Sequence, residues 1–145
     1  MIAPLLAAML LQAAPTVPAA DLTVEVFTTQ DLPVRMPVQW TRYQAAGYRV
    51  VVFHVDAFED IEAELSEGLP ADEAKARAIL ERRLAQDDGR LRARMQKAGL
   101  GIERAIEHRL SEYPAIVFGN GTAVVYGERD LAKAIAAYDE ARGVR

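Results

Sequence analysis

Two segments of the chain have the hydrophobic pattern of β-strands. Residues 22–27 alternate between apolar and polar side chains and are rich in residues that favour strands, which predicts a first strand. Residues 49–55 are almost continuously apolar, as expected for a strand that is covered on both faces of a sheet. Between them, two prolines keep the backbone irregular, and residues 38–46 are predicted to form a short helix that ends at Gly47.

The pattern then changes to that of helices. Apolar residues recur three and four positions apart from residue 57 to Gly68, which predicts a helix over this segment. Another helix is predicted to begin after Pro70, because proline and acidic residues are favoured in a first turn. Asp87-Asp88-Gly89 is predicted to break or kink this region, which continues at helical spacing to Leu110. We expect these helices to pack on a sheet by one narrow face and to leave their charged remainder solvated.

The last third of the chain predicts a β-hairpin followed by a helix. Residues 115–118 and 122–126 have strand character, and the Gly119-Asn120-Gly121 turn between them contains Asn-Gly, a strong hairpin signal. An amphipathic helix is predicted from Leu131 onward. The whole order predicts an α/β domain with a central mixed sheet of about four strands, β-α-β-α-α-β-β-α, flanked by helices. The first two strands should be parallel with a right-handed crossover, and the hairpin strands antiparallel.

Composition excludes several kinds of chemistry. The chain has 145 residues and no cysteine, so dithiol exchange, iron–sulfur clusters and cysteine zinc sites are excluded. The net charge of −4 argues against a nucleic-acid partner. His54 and His108 are far apart and show no metal-binding spacing, so we expect satisfied or solvent-exposed histidines and no metal site. No serine lies in a Gly-x-Ser-x-Gly elbow, and we predict no cofactor and no catalytic residue.

The first twenty residues have the features of an export signal. An apolar, uncharged run over residues 2–11 is too short to span a bilayer and is followed by small residues and prolines. We therefore predict a signal peptide over residues 1–20, a single domain over residues 21–145, a periplasmic location and no stable membrane span after removal of the signal. The basic residue that usually precedes such a run is missing, and the alternative is a buried N-terminal helix.

A proline directly before the third predicted strand adds a resemblance. The element order together with Tyr113-Pro114 resembles thioredoxin-like proteins, in which a cis-proline at this position faces the loop after the first strand. The resemblance implies a cis bond at Pro114 and a candidate pocket formed by Thr28, Thr29 and Tyr113. The alternative is an ordinary trans proline at a strand start. Thr28 and Thr29 stand in the loop where a thiol oxidoreductase of this fold would carry its two cysteines.

Several stretches together resemble a family of exported proteins that are encoded in integrating conjugative elements, beside type IV secretion genes. The stretches are Glu25-Val26-Phe27-Thr28, residues 61–70, residues 113–117 and residues 124–127. The family is thioredoxin-like and is distantly similar to pilus-assembly proteins of F-type conjugation systems. Membership would imply a periplasmic accessory role in conjugative transfer, with other proteins of the conjugation and secretion apparatus as partners. It implies no catalytic residues.

An aromatic and basic segment between the first two strands is a candidate partner surface. Trp40, Tyr43 and Arg42 have the residue types that are enriched at interface anchors. The alternative is that Trp40 packs into the core. We therefore expect a non-enzymatic interaction component, whose oligomeric state the sequence leaves open. The alternative function is a thiol-independent ligand-binding protein or enzyme that uses the pocket near Thr28, Thr29 and Pro114.

Overall fold

The computed structural model describes residues 21–144, and the predicted signal peptide, residues 1–20, lies outside this range. Within it, four strands and five helices follow one another, with a short 3-10 turn between the last two strands. Their bounds are β1 (Thr23–Thr28), α1 (Trp40–Ala45), β2 (Arg49–His54), α2 (Ala57–Ser66), α3 (Glu73–Gln86), α4 (Arg90–Glu107), β3 (Ala115–Phe118), the 3-10 turn (Gly119–Gly121), β4 (Ala123–Tyr126) and α5 (Leu131–Ala141).

The strands form one mixed sheet in the order β2-β1-β3-β4. β1 and β2 run parallel, with Thr23 opposite Arg49 and Thr28 opposite His54. β3 runs antiparallel to both β1 and β4. The predicted four-stranded mixed sheet flanked by helices is therefore confirmed, as are the parallel first pair and the antiparallel hairpin. None of the helices within residues 21–144 has the length and apolarity to cross a bilayer.

Three helices, rather than the two of the predicted order, connect β2 to β3. The break at Asp87-Asp88-Gly89 separates α3 from α4 completely. Gly89 has a φ of 93°, a left-handed conformation that does not continue a helix. The Asp87 carboxylate accepts hydrogen bonds from the backbone N–H groups of Gly89 and Leu91, at 2.9 and 3.1 Å, and so caps the start of α4.

The core lies on both faces of the sheet, and β1 passes through its centre. On one face, Val24, Val26 and Phe118 pack with Leu131 and Ile135 of α5. On the other face, Phe27 and Phe53 pack with residues of β3 and with Ala105 of α4. The expectation that β2 is covered on both faces is wrong, because β2 is an edge strand and Phe53 is its one buried residue. A strand's position in the sheet, and not its apolarity alone, decides how much of it is covered.

Two glycines of α4 differ in how closely the helix approaches the sheet at their positions. A Cβ atom on Gly101 would lie 3.1 Å from the Phe53 Cβ, whereas a Cβ atom on Gly99 would meet nothing within 4 Å. We expect Gly99→Ala to stabilise the protein by about 0.5–1 kcal/mol through helix propensity. Gly101→Ala should destabilise it by about 1–2 kcal/mol, because the crowding against Phe53 exceeds that gain. Urea unfolding of the two variants checks this, and equal stabilisation by both would show that α4 does not press on β2.

Candidate functional site

The candidate pocket is predicted at the end of β1, where the structure shows a loop held by a hydrogen bond within the chain. The Tyr113–Pro114 peptide bond is cis, the isomer expected from the sequence. Thr28 ends β1 one position beyond Phe27, which pairs with Ala115 of β3. The Thr28 side chain is buried, and its hydroxyl donates to the backbone carbonyl of Leu32 at 2.5 Å. This hydroxyl fixes the loop after β1 and is not presented to a ligand.

Tyr113 belongs to a different surface feature from the two threonines. It lines a shallow apolar groove together with Val55 and the α4 residues Ile102, Ala105 and Ile106, with Leu110 beyond them. Thr28 and Thr29 are not part of this groove. The structure therefore does not bring Thr28, Thr29 and Tyr113 together around one cavity of the kind predicted.

A cleft with both apolar and polar lining lies at the carboxyl ends of the parallel strands β1 and β2. It has a volume of about 320 Å³, and its polar lining comes from five side chains, Gln30, His54, Asp60, Arg94 and Lys97. Ligands of open α/β sheets bind outside the carboxyl ends of parallel strands, so this is the place where the fold would hold one. His54 is exposed here. No group of three or more His, Asp or Glu side chains among the described residues is arranged to hold a metal ion.

The aromatic residues of the candidate partner surface are half-buried against the core. Trp40 and Tyr43 are partly buried against the apolar cluster that contains Val24 and Phe118. Their rings stack on each other, with centroids 5.7 Å apart. Arg42 is the exposed member, and it donates to the side-chain oxygen of Gln39 at 3.3 Å. Trp40 therefore packs against the core and keeps part of its surface exposed.

A buried ionic cluster lies on the central strand. The Glu25 carboxylate accepts hydrogen bonds from Arg104 Nε and Nη2, both at 2.7 Å, in a two-pronged arrangement that is among the stronger charge-assisted pairs. His108 Nε2 lies 2.7 Å from the same carboxylate. The side chains of Glu25, Arg104 and His108 are 8%, 21% and 4% exposed.

The protonation of the cluster follows from its geometry. Burial raises the pKa of Glu25, but the hydrogen bonds from Arg104 and His108 outweigh this effect and hold the pKa below its ordinary value. The hydrogen bond to Glu25 raises the pKa of Arg104. Because an ionised carboxylate only accepts hydrogen bonds, His108 Nε2 must be the donor to Glu25. Arg104 Nη2, 3.1 Å from His108 Nε2, is then a close neighbour and not a donor to it.

This cluster joins three parts of the fold. Glu25 lies on β1, Arg104 and His108 come from the last turn of α4 and its end, and Arg104 also donates to Asn120 in the hairpin turn at 2.8 Å. Asn120 has a φ of 54°, a left-handed conformation that asparagine tolerates better than most residues. A Glu–His pair can serve as a base in an enzyme, but here both groups are covered and Arg104 neutralises the carboxylate. The arrangement is suited to holding α4 and the hairpin on β1.

The sequence contains a signal for this cluster that the hydrophobic pattern alone does not reveal. Glu25 interrupts the apolar residues of a strand at the centre of the sheet, and a buried charge requires a partner. Arg104 and His108 are four residues apart, so they share one face of α4. His108 is therefore a satisfied histidine, one of the two alternatives expected from the sequence.

A second polar contact fastens α5 to the opposite face of the sheet. The Tyr48 hydroxyl donates to the Asp139 carboxylate, which also accepts from Arg142 at 2.7 Å. Burial and the hydrogen bond to Asp139 raise the pKa of Tyr48 well above its ordinary value. Arg142 also lies over the Tyr138 ring, 4.6 Å from its centroid. Tyr48 therefore stays neutral and holds the last helix in place.

Comparison with known protein families gives one match. The family described as "Protein of unknown function (DUF1525)" matches residues 22–143. The chain belongs to this family. The match spans every strand and helix of the domain, including β1 with Glu25, α4 with Arg104 and the hairpin turn with Asn120. Beyond the family, the chain has no significant match among curated proteins or among solved structures.

Proposed function

We propose that this member of DUF1525 is an exported, non-catalytic interaction component of a conjugative transfer apparatus, the type IV secretion system of an integrating conjugative element. One observation carries the non-catalytic part of the proposal. At the end of β1, where a thioredoxin-like scaffold would carry its reactive pair, the Thr28 hydroxyl is buried and bonded to the carbonyl of Leu32. The chain has no cysteine to supply a thiolate.

The sheet topology and several sequence stretches support the rest of the proposal. A parallel β1–β2 pair, an antiparallel hairpin that adds to β1, and a proline directly before β3 are compatible with a thioredoxin-like fold. The conjugative role rests on the sequence stretches that resemble exported proteins of integrating conjugative elements. All of these stretches lie inside the region that matches the family, residues 22–143. We infer that the domain binds other apparatus proteins in the periplasm and catalyses no reaction there.

A co-purification experiment tests the interaction. The protein, tagged at its C-terminus and expressed at native level in cells that carry the mobile element, should retain proteins of the secretion apparatus. Arg42→Glu probes the exposed position of the candidate partner surface, and Lys133→Glu on α5 is a charge-matched control at another exposed site. Retention of no apparatus protein by the wild type would contradict the proposed role. Loss with Arg42→Glu but not with Lys133→Glu would place the contact at α1.

Export has a separate readout. We expect the protein recovered from the periplasmic fraction to have lost residues 1–20, so that its intact mass corresponds to a chain starting near residue 21. Recovery of all 145 residues from the cytoplasm alone would contradict export.

The non-catalytic assignment is tested by activity assays. Assays of thiol–disulfide exchange and of glutathione transfer should show no turnover, and robust turnover in either would overturn the assignment.

The second candidate function is binding of a small ligand, and the cleft at the ends of β1 and β2 favours it. Its volume of about 320 Å³ is at the lower end of the range typical of ligand sites. Lys97 and His54 supply polar groups that could contact an anion. Titration with small carboxylates and phosphates, followed by NMR shifts of residues around His54, tests it. Shifts that vanish in Lys97→Ala would support this candidate, and unchanged spectra would remove it.

A further inference from the structure

Helix α3 has little to hold it in place within one copy of the chain. It has 14 residues, Glu73–Gln86, and none of them is buried. Helices of about 12–15 residues are marginal in water unless a face is packed. Two local features fix it: the Asp72 side chain caps its first turn, and Arg83 donates to the carbonyls of Leu65 and Glu67 at 2.6 and 2.7 Å. These bonds fasten α3 to the end of α2 but leave its outer face uncovered.

The charges of α2 and α3 are opposite in sign. α2 contains four carboxylates (Glu59, Asp60, Glu62 and Glu64) and neither lysine nor arginine. The segment over residues 73–97, which contains α3 and the start of α4, has eight lysines and arginines against four acidic residues. Because the whole chain has a net charge of −4, this segment of +4 is balanced by −8 elsewhere. One chain therefore carries two oppositely charged surfaces on helices that are neighbours in sequence.

Several of these charges have no ion-pair partner inside the described part of the chain. Glu64 pairs with Arg94 at 2.7 Å, which shows that acidic α2 and the basic segment attract each other. Among the described residues, Glu59 and Glu62 of α2 have no ion-pair partner, and the same holds for Lys75 and Arg82 of α3. All four side chains belong to exposed residues.

The spacing of these residues places each pair on one face of its helix. Glu59 and Glu62 are three residues apart and lie on one face of α2. Lys75 and Arg82 are seven residues apart, so they share a face of α3 about 10.5 Å apart along its axis. Apolar area is available on the acidic face of α2, because Phe58, four residues before Glu62, remains 39% exposed.

We propose that α3 docks on a second copy of this chain, with the basic face of α3 in one copy against the acidic face of α2 in the other. Because Arg83 holds α2 and α3 side by side in each copy, a two-fold axis would form both α2–α3 contacts at once. Phe58 supplies the apolar part of the interface, and the charges supply orientation and selectivity. This homodimer does not depend on the proposed function.

Charge reversal with rescue tests the dimer. The purified protein should approach twice its monomer mass in sedimentation equilibrium at high protein concentration and low salt. It should return to monomer in about 1 M salt, where charges are screened within about 3 Å. Glu59→Lys/Glu62→Lys and Lys75→Glu/Arg82→Glu should each be monomeric, because like charges then face each other at both contacts. An equimolar mixture of the two variants should regain the dimer, since opposite charges again meet.

Matched controls separate this interface from general charge effects. Glu103→Lys/Glu140→Lys makes the same change of charge at exposed positions of α4 and α5, and it should leave the dimer intact. Circular dichroism confirms that each variant is folded, and regain of the dimer on mixing shows the same for the pair. A wild type that stays monomeric at every concentration would overturn the proposal, as would variants that still dimerise or a mixture that does not. Wild-type protein that binds vesicles of anionic lipid through α3 but does not self-associate would also overturn it.

Discussion

Glu25→Ala is expected to lower the free energy of unfolding by about 3–5 kcal/mol, the range found when one member of a buried ion pair is removed. The reason is the position of its partners. Arg104 and His108 both lie 2.7 Å from the Glu25 carboxylate, and the substitution removes the buried acceptor that these two donor groups share. Urea unfolding followed by circular dichroism measures the change.

A control is available on the same arginine. Glu107 also pairs with Arg104, but its side chain is 57% exposed. Glu107→Gln should therefore change stability by less than about 1 kcal/mol, as is usual for exposed ion pairs. If the two substitutions had equal effects, the buried cluster would not be what holds α4 and the hairpin turn on β1.

The pH dependence of the pair gives an independent check. The pKa of Glu25 is below its ordinary value of 4.5 because the hydrogen bonds from Arg104 and His108 outweigh the effect of burial. A lowered pKa in the folded state gives stability that is fully present above the unfolded pKa and is lost as pH falls through the folded pKa. Glu25→Gln resembles the protonated side chain. The stability difference between wild type and Glu25→Gln should therefore be constant near neutral pH and shrink below about pH 4. A difference that grows towards acid pH would contradict the assignment.

Phe27→Ala is the second substitution with a large expected effect, a loss of about 3–5 kcal/mol. Phe27 is fully buried, stacks on Phe53 with ring centroids 5.3 Å apart, and contacts the His108 ring edge-on at 6.0 Å. Its removal leaves a cavity between β1 and α4, directly beside the ionic cluster. The predicted change is a lower midpoint in urea with little change in the slope of the transition.

Phe58 provides the matched control for Phe27, because it is the same residue type but 39% exposed, on α2. Phe58→Ala should cost less than about 1.5 kcal/mol in the monomer, since little apolar area returns to water. Equal losses for the two phenylalanines would mean that the core is not centred on β1. A smaller effect of Phe27→Ala in a Glu25→Ala background would show that the two side chains support each other.

The sheet could be predicted from sequence because local signals agree with its topology. The Asn-Gly turn places β3 beside β4, and the long helical region between β2 and β3 gives the chain room to return antiparallel to β1. The coverage of the strands could not be predicted in the same way. β2 is as apolar as a central strand yet lies at the edge, because burial depends on which strand the hairpin joins.

The ionic cluster shows the same limit for the candidate site. Glu25 and Arg104 are 79 residues apart in sequence, and no local pattern records that α4 crosses the face of β1 that carries Glu25. Thr28 illustrates the opposite case. Its place at the end of β1 follows from the sequence. Its hydroxyl donates to the Leu32 carbonyl, and this bond could not be predicted because it depends on the path of the loop. Packing of α3 on the sheet by one narrow face is also predicted from the sequence, because Ile79, Leu80 and Leu84 recur at helical spacing, but none of its residues is buried.

We propose that this DUF1525 protein acts outside the cytoplasm in conjugative transfer without catalysing a reaction. Transfer frequency of the element from donor cells tests it most directly. Deletion of the gene should reduce transfer strongly, and the full chain should restore it. A Thr28→Val variant, which lacks the buried hydroxyl and whose folding is checked by circular dichroism, should restore it as well. The chain without residues 1–20 should fail to restore transfer. Unchanged transfer after deletion, or full complementation by the chain without residues 1–20, would contradict the account.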